Sequence, residues 1–95
     1  MRHELEKILR NDLRFLAIET RDRLKLTQRE MGSRLHMSES AYSDIETGKY
    51  MCSTLTAVLL LDMQEDPKAF LNQAADHFSK WYEKEMQFVC QYDTE

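Results

Sequence analysis

Histidine and cysteine are the side chains that most often hold metal ions or act as nucleophiles and general bases, and this chain has few of them. His3, His36 and His77 fall in separate predicted elements, and Cys52 and Cys90 lie far apart. None of these residues has the spacing of a metal site. The chain also lacks a paired acid and base, a nucleophile motif and a glycine-rich phosphate loop. We therefore expect a protein that is not an enzyme, that holds no metal or cofactor, and whose cysteines stay reduced.

The composition is that of one small helical domain. A chain of 95 residues is sufficient for a single core. Two glycines and one proline are too few for a many-stranded β fold, while 42% hydrophobic residues are too many for a disordered chain. The longest uncharged apolar run, Leu55 to Leu61, is too short to cross a bilayer, and the first residues lack an apolar signal region. We expect a cytoplasmic protein with no membrane partner.

The net charge of −4 is unevenly distributed along the chain. Residues 1–26 carry seven Lys and Arg against five Asp and Glu, residues 27–61 carry three against four, and residues 62–95 carry three against eight. A surface for nucleic acid, which is a polyanion, is therefore expected in the first half of the chain, and the acidic last third should point away from it.

Apolar residues recur at close to the helical period from Leu5 to Leu26, which predicts a long amphipathic first helix. Asn11 and Asp12 could cap a new helix within this stretch. One continuous helix fits the pattern, and so does a short N-terminal arm or helix followed by a second helix.

Four further helices begin at recognisable caps. Thr27 and Glu30 have the spacing of a capping box. Serine and threonine are good N-cap residues, asparagine and aspartate likewise, and a proline is favoured at the first helical position. Gly48 stands where a left-handed residue would end a helix. The second helix is predicted from Gln28 to about His36, and the third, capped by Ser38, from Glu39 to Thr47. The fourth, capped by Ser53 or Thr54, contains Leu55, Val58, Leu59 and Leu60. The fifth, capped by Asp66, begins at Pro67 and could reach Gln91. The predicted fold class is all-α, a five-helix bundle.

The segment from Leu26 to Lys49 closely resembles the phage-repressor-type helix-turn-helix family, also called the xenobiotic-response-element (XRE) or Cro-like family. The shared features are Leu-Thr-Gln, an apolar and then a small residue on the first short helix, a serine near the turn, and Ile-Glu-x-Gly-Lys, which are found here at residues 26–28, 31–32, 38 and 45–49. The resemblance extends over about Leu13 to Met63. It implies a lambda-repressor-like fold with an extended first helix and a long last helix.

Several residues in this segment have expected structural roles. The helical spacing of Met31, Leu35, Tyr42 and Ile45 predicts that they face the core. The position of Gly32 requires a small residue because the two short helices are expected to cross closely there. The resemblance also implies an ion pair that ties the first helix to the third, between Arg21 and Glu46.

The resemblance further implies which residues contact DNA in the major groove. Gln28 would bridge a phosphate and a neighbouring side chain. The positions that reach base edges in the family correspond here to two acids and three serines, whereas many members have Arg, Gln, Asn or Lys there. No Lys or Arg lies between Arg34 and Lys49, so attraction to phosphates should be weak. The expected DNA-binding residues are Gln28, Arg29, Ser38, Glu39, Ser40, Ser43, Asp44, Thr47 and Lys49, with Arg10, Arg14 and Arg34 as further cations.

The last helix carries a broad apolar stripe and is too long for a small bundle. At 1.5 Å per residue its 25 predicted residues would span roughly 37 Å, so part of it should extend beyond the other helices. We expect this part to pair with a second copy in a twofold dimer. The expected interface residues are Phe78, Trp81, Tyr82, Phe88 and Val89. Residues 1–66 would then form the helix-turn-helix region and residues 67–95 the dimerisation helix of one domain.

Two functions fit these observations. The first is a sequence-specific DNA-binding transcriptional regulator that acts as a homodimer on a palindromic double-stranded operator. The second is a protein-interaction module, antirepressor-like or antitoxin-like, that has the same fold but binds a protein partner with weak or no DNA binding. The Thr-Gln and Gly-Lys pairs favour the first, whereas the acidic third helix and the acidic tail favour the second.

Overall fold

A computed structural model of the chain describes residues 2–93, with the side chains of residues 2–86. Its five α-helices contain most of these residues, and no strand occurs among them. The all-α prediction and the predicted order of long and short helices are therefore confirmed. The helices are α1 (Arg2–Leu24), α2 (Gln28–Arg34), α3 (Glu39–Glu46), α4 (Thr54–Asp62) and α5 (Pro67–Asp93).

The first helix is continuous, which decides between the two alternatives that the sequence leaves open. Asn11 and Asp12 lie within α1 and cap no helix. Asp12 is buried, and both of its carboxylate oxygens lie 2.9 Å from Nδ1 of His77 on α5. The helix ends at Leu24, earlier than predicted, because Lys25 adopts the left-handed conformation with φ 57°.

All five helices contribute to the core. The four side chains that were predicted to face the interior, Met31, Leu35, Tyr42 and Ile45, are all buried. α1 packs against α3, α4 and α5, so it forms the centre of the bundle. The buried apolar residues are Leu13, Leu16, Ala17, Met31, Leu35, Tyr42, Ile45, Leu60, Phe70 and Ala74.

The two long helices lie side by side. Asp12 meets His77, and Trp81, one turn further along α5, lines a groove with Ile8, one turn earlier on α1. The two helices therefore run antiparallel. The part of α5 around Trp81, which was expected to extend beyond the other helices, is thus accompanied by the first half of α1.

Large apolar side chains remain exposed on α4 and on α5, besides Phe15 on α1 and Tyr50 after α3. On α4, Leu55 is 67% and Val58 56% exposed, whereas on α5 the exposed side chains are Leu71, Tyr82 and Met86. Within residues 2–93, no helix combines the length and the apolar character that crossing a bilayer requires.

Candidate nucleic-acid interface

A capping box fixes the start of α2. Oγ1 of Thr27 accepts a hydrogen bond from the backbone amide of Glu30 at 3.1 Å, and Oε1 of Glu30 accepts one from the backbone amide of Thr27 at 2.9 Å. The second bond is the main reason why the pKa of the Glu30 carboxyl lies below its ordinary value. The capping box therefore places Gln28 in the first turn of the helix, as predicted.

The turn between α2 and α3 is tight. α2 ends at Arg34, before the predicted His36, because His36 adopts a left-handed φ of 60°. The backbone amide of Met37 then donates to the carbonyl of Gly32 at 2.9 Å. A Cβ at Gly32 would lie 3.0 Å from the carbonyl oxygen of Met37, so the residue must be small. Its close neighbour is the backbone of the turn rather than the α3 helix itself.

Ser38 and Gly48 bound the third helix. Oγ of Ser38 accepts from the backbone amide of Ala41 at 3.1 Å, which satisfies one of the free amides at the start of α3. Gly48 has the predicted left-handed conformation, with φ 77°. α3 ends at Glu46, one residue before the predicted end, and Thr47 is its C-cap.

Six polar side chains from α2, the turn and α3 line one open concavity of about 540 Å³. The structure thus brings together Gln28 and the five residues that were expected to reach base edges. Two of the six are carboxylates and none is a cation. The lining side chains are Gln28, Ser38, Glu39, Ser40, Ser43 and Asp44.

Three of the expected DNA-binding residues do not line this concavity. Arg29 is exposed on α2, and Thr47 and Lys49 are exposed beyond the end of α3. The hydroxyl of Thr47 donates to the carbonyl of Asp44 at 3.2 Å, and Nζ of Lys49 lies 5.5 Å from the ring centre of Tyr50. Arg29 and Lys49 are therefore not part of the lining of the concavity.

Glu46, at the end of α3, accepts hydrogen bonds from three side chains on three helices. Arg21 on α1 donates through Nε to Oε2 at 2.5 Å and through Nη2 to Oε1 at 3.1 Å. Gln28 on α2 donates through Nε2 to Oε1 at 3.0 Å. The hydroxyl of Tyr42 donates to Oε2 and also lies 3.2 Å from the carbonyl oxygen of Ala17. We call Arg21, Gln28, Tyr42 and Glu46 the Glu46 cluster.

The Glu46 cluster holds its carboxylate in the charged form. Burial opposes the charge, but the hydrogen bonds from Arg21, Tyr42 and Gln28 outweigh burial and lower the pKa of Glu46. The hydrogen bond to Glu46 raises the pKa of Arg21. Burial, together with the negative neighbour, raises the pKa of the Tyr42 hydroxyl. The cluster therefore fixes α1, α2 and α3 relative to one another, and Gln28 is held in place by it.

The structure contains two short helices, of seven and eight residues, that are joined by a tight turn. A partly buried ion pair ties the second of them to α1. A family model described as a helix-turn-helix domain matches residues 15–63 of the chain. The chain belongs to the helix-turn-helix domain family. The match nearly coincides with the extent of the resemblance that the sequence shows, and it covers α2, α3 and α4 completely. No curated protein and no solved structure gives a significant match.

In a helix-turn-helix domain the second helix of the motif, here α3, is the one that other members present to the major groove. Sequence reasoning assigned Tyr42 to the core only, although its position one turn before Glu46 is the spacing at which two helical side chains meet. It named Arg14 only as a further cation and did not foresee that its Nε donates to the carbonyl of Glu46 at 2.6 Å. No local sequence pattern predicts that contact, because it joins α1 to the C-terminal end of α3, 32 residues away.

The other residues considered for chemistry lie apart. His3 and His36 are exposed, and His77 is paired with Asp12. Burial raises the pKa of the Cys52 thiol, which favours the unreactive protonated form. Among the described residues, no group of three His, Cys, Asp or Glu side chains is placed to hold a metal ion. The side chains of Cys90, Phe88 and Val89 lie outside the described residues.

Proposed function

We propose that the chain is a sequence-specific DNA-binding regulator, located in the cytoplasm, that acts as a homodimer with α3 in the major groove of its operator. The observation that carries this proposal is the concavity lined by Gln28, Ser38, Glu39, Ser40, Ser43 and Asp44. It lies where helix-turn-helix domains contact bases, and its side chains are open to a ligand. The proposed role is binding and not catalysis.

The chemistry of the concavity limits which base edges it can read. Carboxylates accept hydrogen bonds, and the amino group of cytosine is the donor that pairs with Glu and Asp in the major groove. Serine hydroxyls both donate and accept, so they tolerate several bases. We therefore expect Glu39 and Asp44 to select for cytosine. Guanine is read by Arg in other proteins, and no Arg lines this concavity, so we expect no direct selection for guanine on the strand that these carboxylates contact.

Gln28 is suited to orient the domain on the DNA backbone. Its Nε2 carries two hydrogens, one of which is donated to Glu46. The second can be donated to a phosphate oxygen without breaking the first bond. The Glu46 cluster would therefore position a phosphate contact that a mobile glutamine would make at a greater entropic cost.

Salt dependence tests DNA binding directly. Arg29, Arg34 and Lys49 are the Lys and Arg residues of the segment that contains α2 and α3, and all three are exposed. Three phosphate contacts predict that the logarithm of the affinity for random duplex DNA falls with a slope of roughly −2.7 against the logarithm of salt concentration. Fluorescence anisotropy of a labelled duplex, titrated between about 50 and 200 mM salt, measures this slope. An absence of binding at the lowest salt would contradict the proposal.

The acidic concavity also favours a second candidate function. Two carboxylates and no cation would accept the Lys or Arg side chains of a protein partner as readily as amino groups of bases. The chain would then be an interaction module that uses the same surface. Binding of duplex DNA at low salt separates the two functions, because only the regulator requires it.

We also propose that the dimer forms through α5. Phe78 and Trp81 are half-buried, whereas Tyr82 is 44% exposed and packs edge-on against Trp81 with ring centres 5.0 Å apart. Leu71, Tyr82 and Met86 follow one another at 11 and 4 residues, which places them on one stripe of the helix. This stripe, unlike the face of Trp81 toward α1, is available to a second copy.

Charge on the α5 stripe should dissociate the dimer. We expect Tyr82→Lys combined with Met86→Lys to weaken dimerisation by about 30-fold or more, which corresponds to the loss of one aromatic hot spot. Sedimentation equilibrium measures the dissociation constant. Leu55→Lys combined with Val58→Lys is the matched control, because it removes a similar apolar area from α4. If the α4 pair dissociates the dimer and the α5 pair does not, the interface lies on α4.

A further inference from the structure

A second concavity lies between α1, the end of α3 and α5. Its volume is about 520 Å³, within the range of about 300–1,000 Å³ that is typical of small-molecule sites. α1 contributes most of the lining, Thr47 and Gly48 directly follow the end of α3, and Trp81 comes from α5. We call this concavity the Trp81 groove.

Positive charge dominates the Trp81 groove. Lys7, Arg10 and Arg14 lie on one face of α1 because they are three and four residues apart, and all three line the groove. Glu4 is the one carboxylate in the lining. Among the described side chains, neither Lys7 nor Arg10 has a carboxylate within ion-pair distance. Three converging cations repel one another, and an anion bound between them removes that repulsion.

Arg14 is already held in position. Its Nε donates to the carbonyl of Glu46 at 2.6 Å, and its Nη1 lies 3.5 Å from the side-chain oxygen of Asn11. The guanidinium carbon also lies 5.0 Å from the ring centre of Phe15. A fixed guanidinium binds an anion at a smaller entropic cost than a mobile one.

The rest of the groove is suited to a planar ring. Trp81 is half-buried and provides an aromatic surface, and Ile8, also half-buried, provides an aliphatic one. A ligand with a ring and an anionic group would use both the apolar and the cationic parts of the lining.

We propose that the Trp81 groove is a binding site for a small organic anion that carries a planar ring, such as an aromatic phosphate or carboxylate. A bound ligand would touch Thr47 and Gly48 and thus the end of α3. The site is separate from the concavity of the candidate nucleic-acid interface, and its existence does not depend on DNA binding.

Three nuclear magnetic resonance signals of the full chain can test this proposal. The chain has one tryptophan and two glycines. The indole N–H of Trp81 and the amide of Gly48 report on the groove. The amide of Gly32, which is buried on α2 and does not line the groove, is the internal control. The probes are 1-naphthyl phosphate, which has both ring and anion, inorganic phosphate and 1-naphthol. We expect 1-naphthyl phosphate to shift both groove signals saturably. Its affinity should exceed that of inorganic phosphate and that of 1-naphthol by about tenfold or more.

Charge removal supplies the second arm. Lys7→Gln combined with Arg10→Gln is expected to weaken 1-naphthyl phosphate binding by about tenfold or more. Lys25→Gln combined with Lys68→Gln removes the same charge at the far ends of α1 and α5 and should leave binding unchanged. Equal loss in both variants, or equal binding of 1-naphthol and 1-naphthyl phosphate, would overturn the proposal.

A third arm separates a small ligand from the DNA backbone. A random duplex is added in place of the aromatic phosphate. If the duplex shifts Trp81 and Gly48 while 1-naphthyl phosphate binds no better than inorganic phosphate, the groove contacts DNA phosphates and the small-ligand site is wrong. Our proposal predicts that 1-naphthyl phosphate binds with or without the duplex. This prediction holds even if the chain does not bind DNA.

Discussion

Replacing Glu46 with alanine is expected to lower the free energy of unfolding by about 3 kcal/mol. The substitution removes the carboxylate oxygens that now accept hydrogen bonds from the guanidinium of Arg21, the hydroxyl of Tyr42 and the amide of Gln28. The Glu46 side chain is 9% exposed, so water replaces its carboxylate poorly. We place the loss at the lower end of the range for broken buried pairs because Arg21 is 27% exposed.

Chemical denaturation of both proteins measures this loss. Glu19→Ala is the matched control, because Glu19 is an exposed carboxylate on α1 with no ion pair among the described side chains. It should change the unfolding free energy by less than about 0.5 kcal/mol. If Glu46→Ala costs no more than the control, the Glu46 cluster does not hold the three helices together.

The contribution of Glu46 to the free energy of unfolding should also depend on pH. The pKa of Glu46 is lowered in the folded chain, so its contribution to stability is complete above the ordinary carboxyl pKa and is lost as pH falls through the folded pKa. Wild type should therefore lose stability below about pH 4.5 more steeply than Glu46→Gln does. Glu30, whose pKa is also lowered, contributes equally to both proteins and does not affect the difference. Parallel acid curves would contradict this assignment.

The second large effect concerns Glu39 and Asp44, the two carboxylates that line the concavity of the candidate nucleic-acid interface. A carboxylate about 6 Å from a phosphate costs roughly 0.7 kcal/mol in water, so Glu39→Gln combined with Asp44→Asn should strengthen binding to random DNA by about tenfold. If the two carboxylates accept from cytosine, the same change reduces the preference for the operator. Titrations of wild type and variant against selected and scrambled duplexes give both quantities.

Asp62→Asn combined with Glu83→Gln is the control for this change, since it removes two charges from exposed residues on α4 and α5. If the gain came only from weaker long-range repulsion between the acidic chain and the DNA phosphates, this control would strengthen random binding as much as the α3 variant does. If the α3 variant binds both duplexes with the affinity of wild type, Glu39 and Asp44 do not face DNA, and α3 is not the base-reading helix.

The caps of the short helices are predictable from the sequence because each depends on residues a few positions apart. Thr27 contacts Glu30, and Ser38 contacts Ala41, so a short segment contains all the necessary information. The positive φ of Gly48 is local in the same sense. The ion pair of Arg21 with Glu46 spans 25 residues and could be expected only from the resemblance to a family.

The arrangement of the long helices could not be predicted from local patterns. Asn11 and Asp12 resemble a helix cap, yet Asp12 is buried within α1 and contacts His77, 65 residues away. The Trp81 groove likewise combines residues from three helices that are distant in the sequence. Their proximity depends on the packing of α1 against α5.

Selection of bound fragments from a randomised duplex library tests sequence-specific DNA binding most directly. Purified chain is incubated with the library at low salt, and bound duplexes are recovered, amplified and sequenced over several rounds. We predict enrichment of an inverted repeat whose half-sites contain cytosine opposite Glu39 or Asp44, with centres about one helical turn apart or a multiple of it. Recovery of duplexes with no enriched sequence, or recovery of none, would contradict the proposed function.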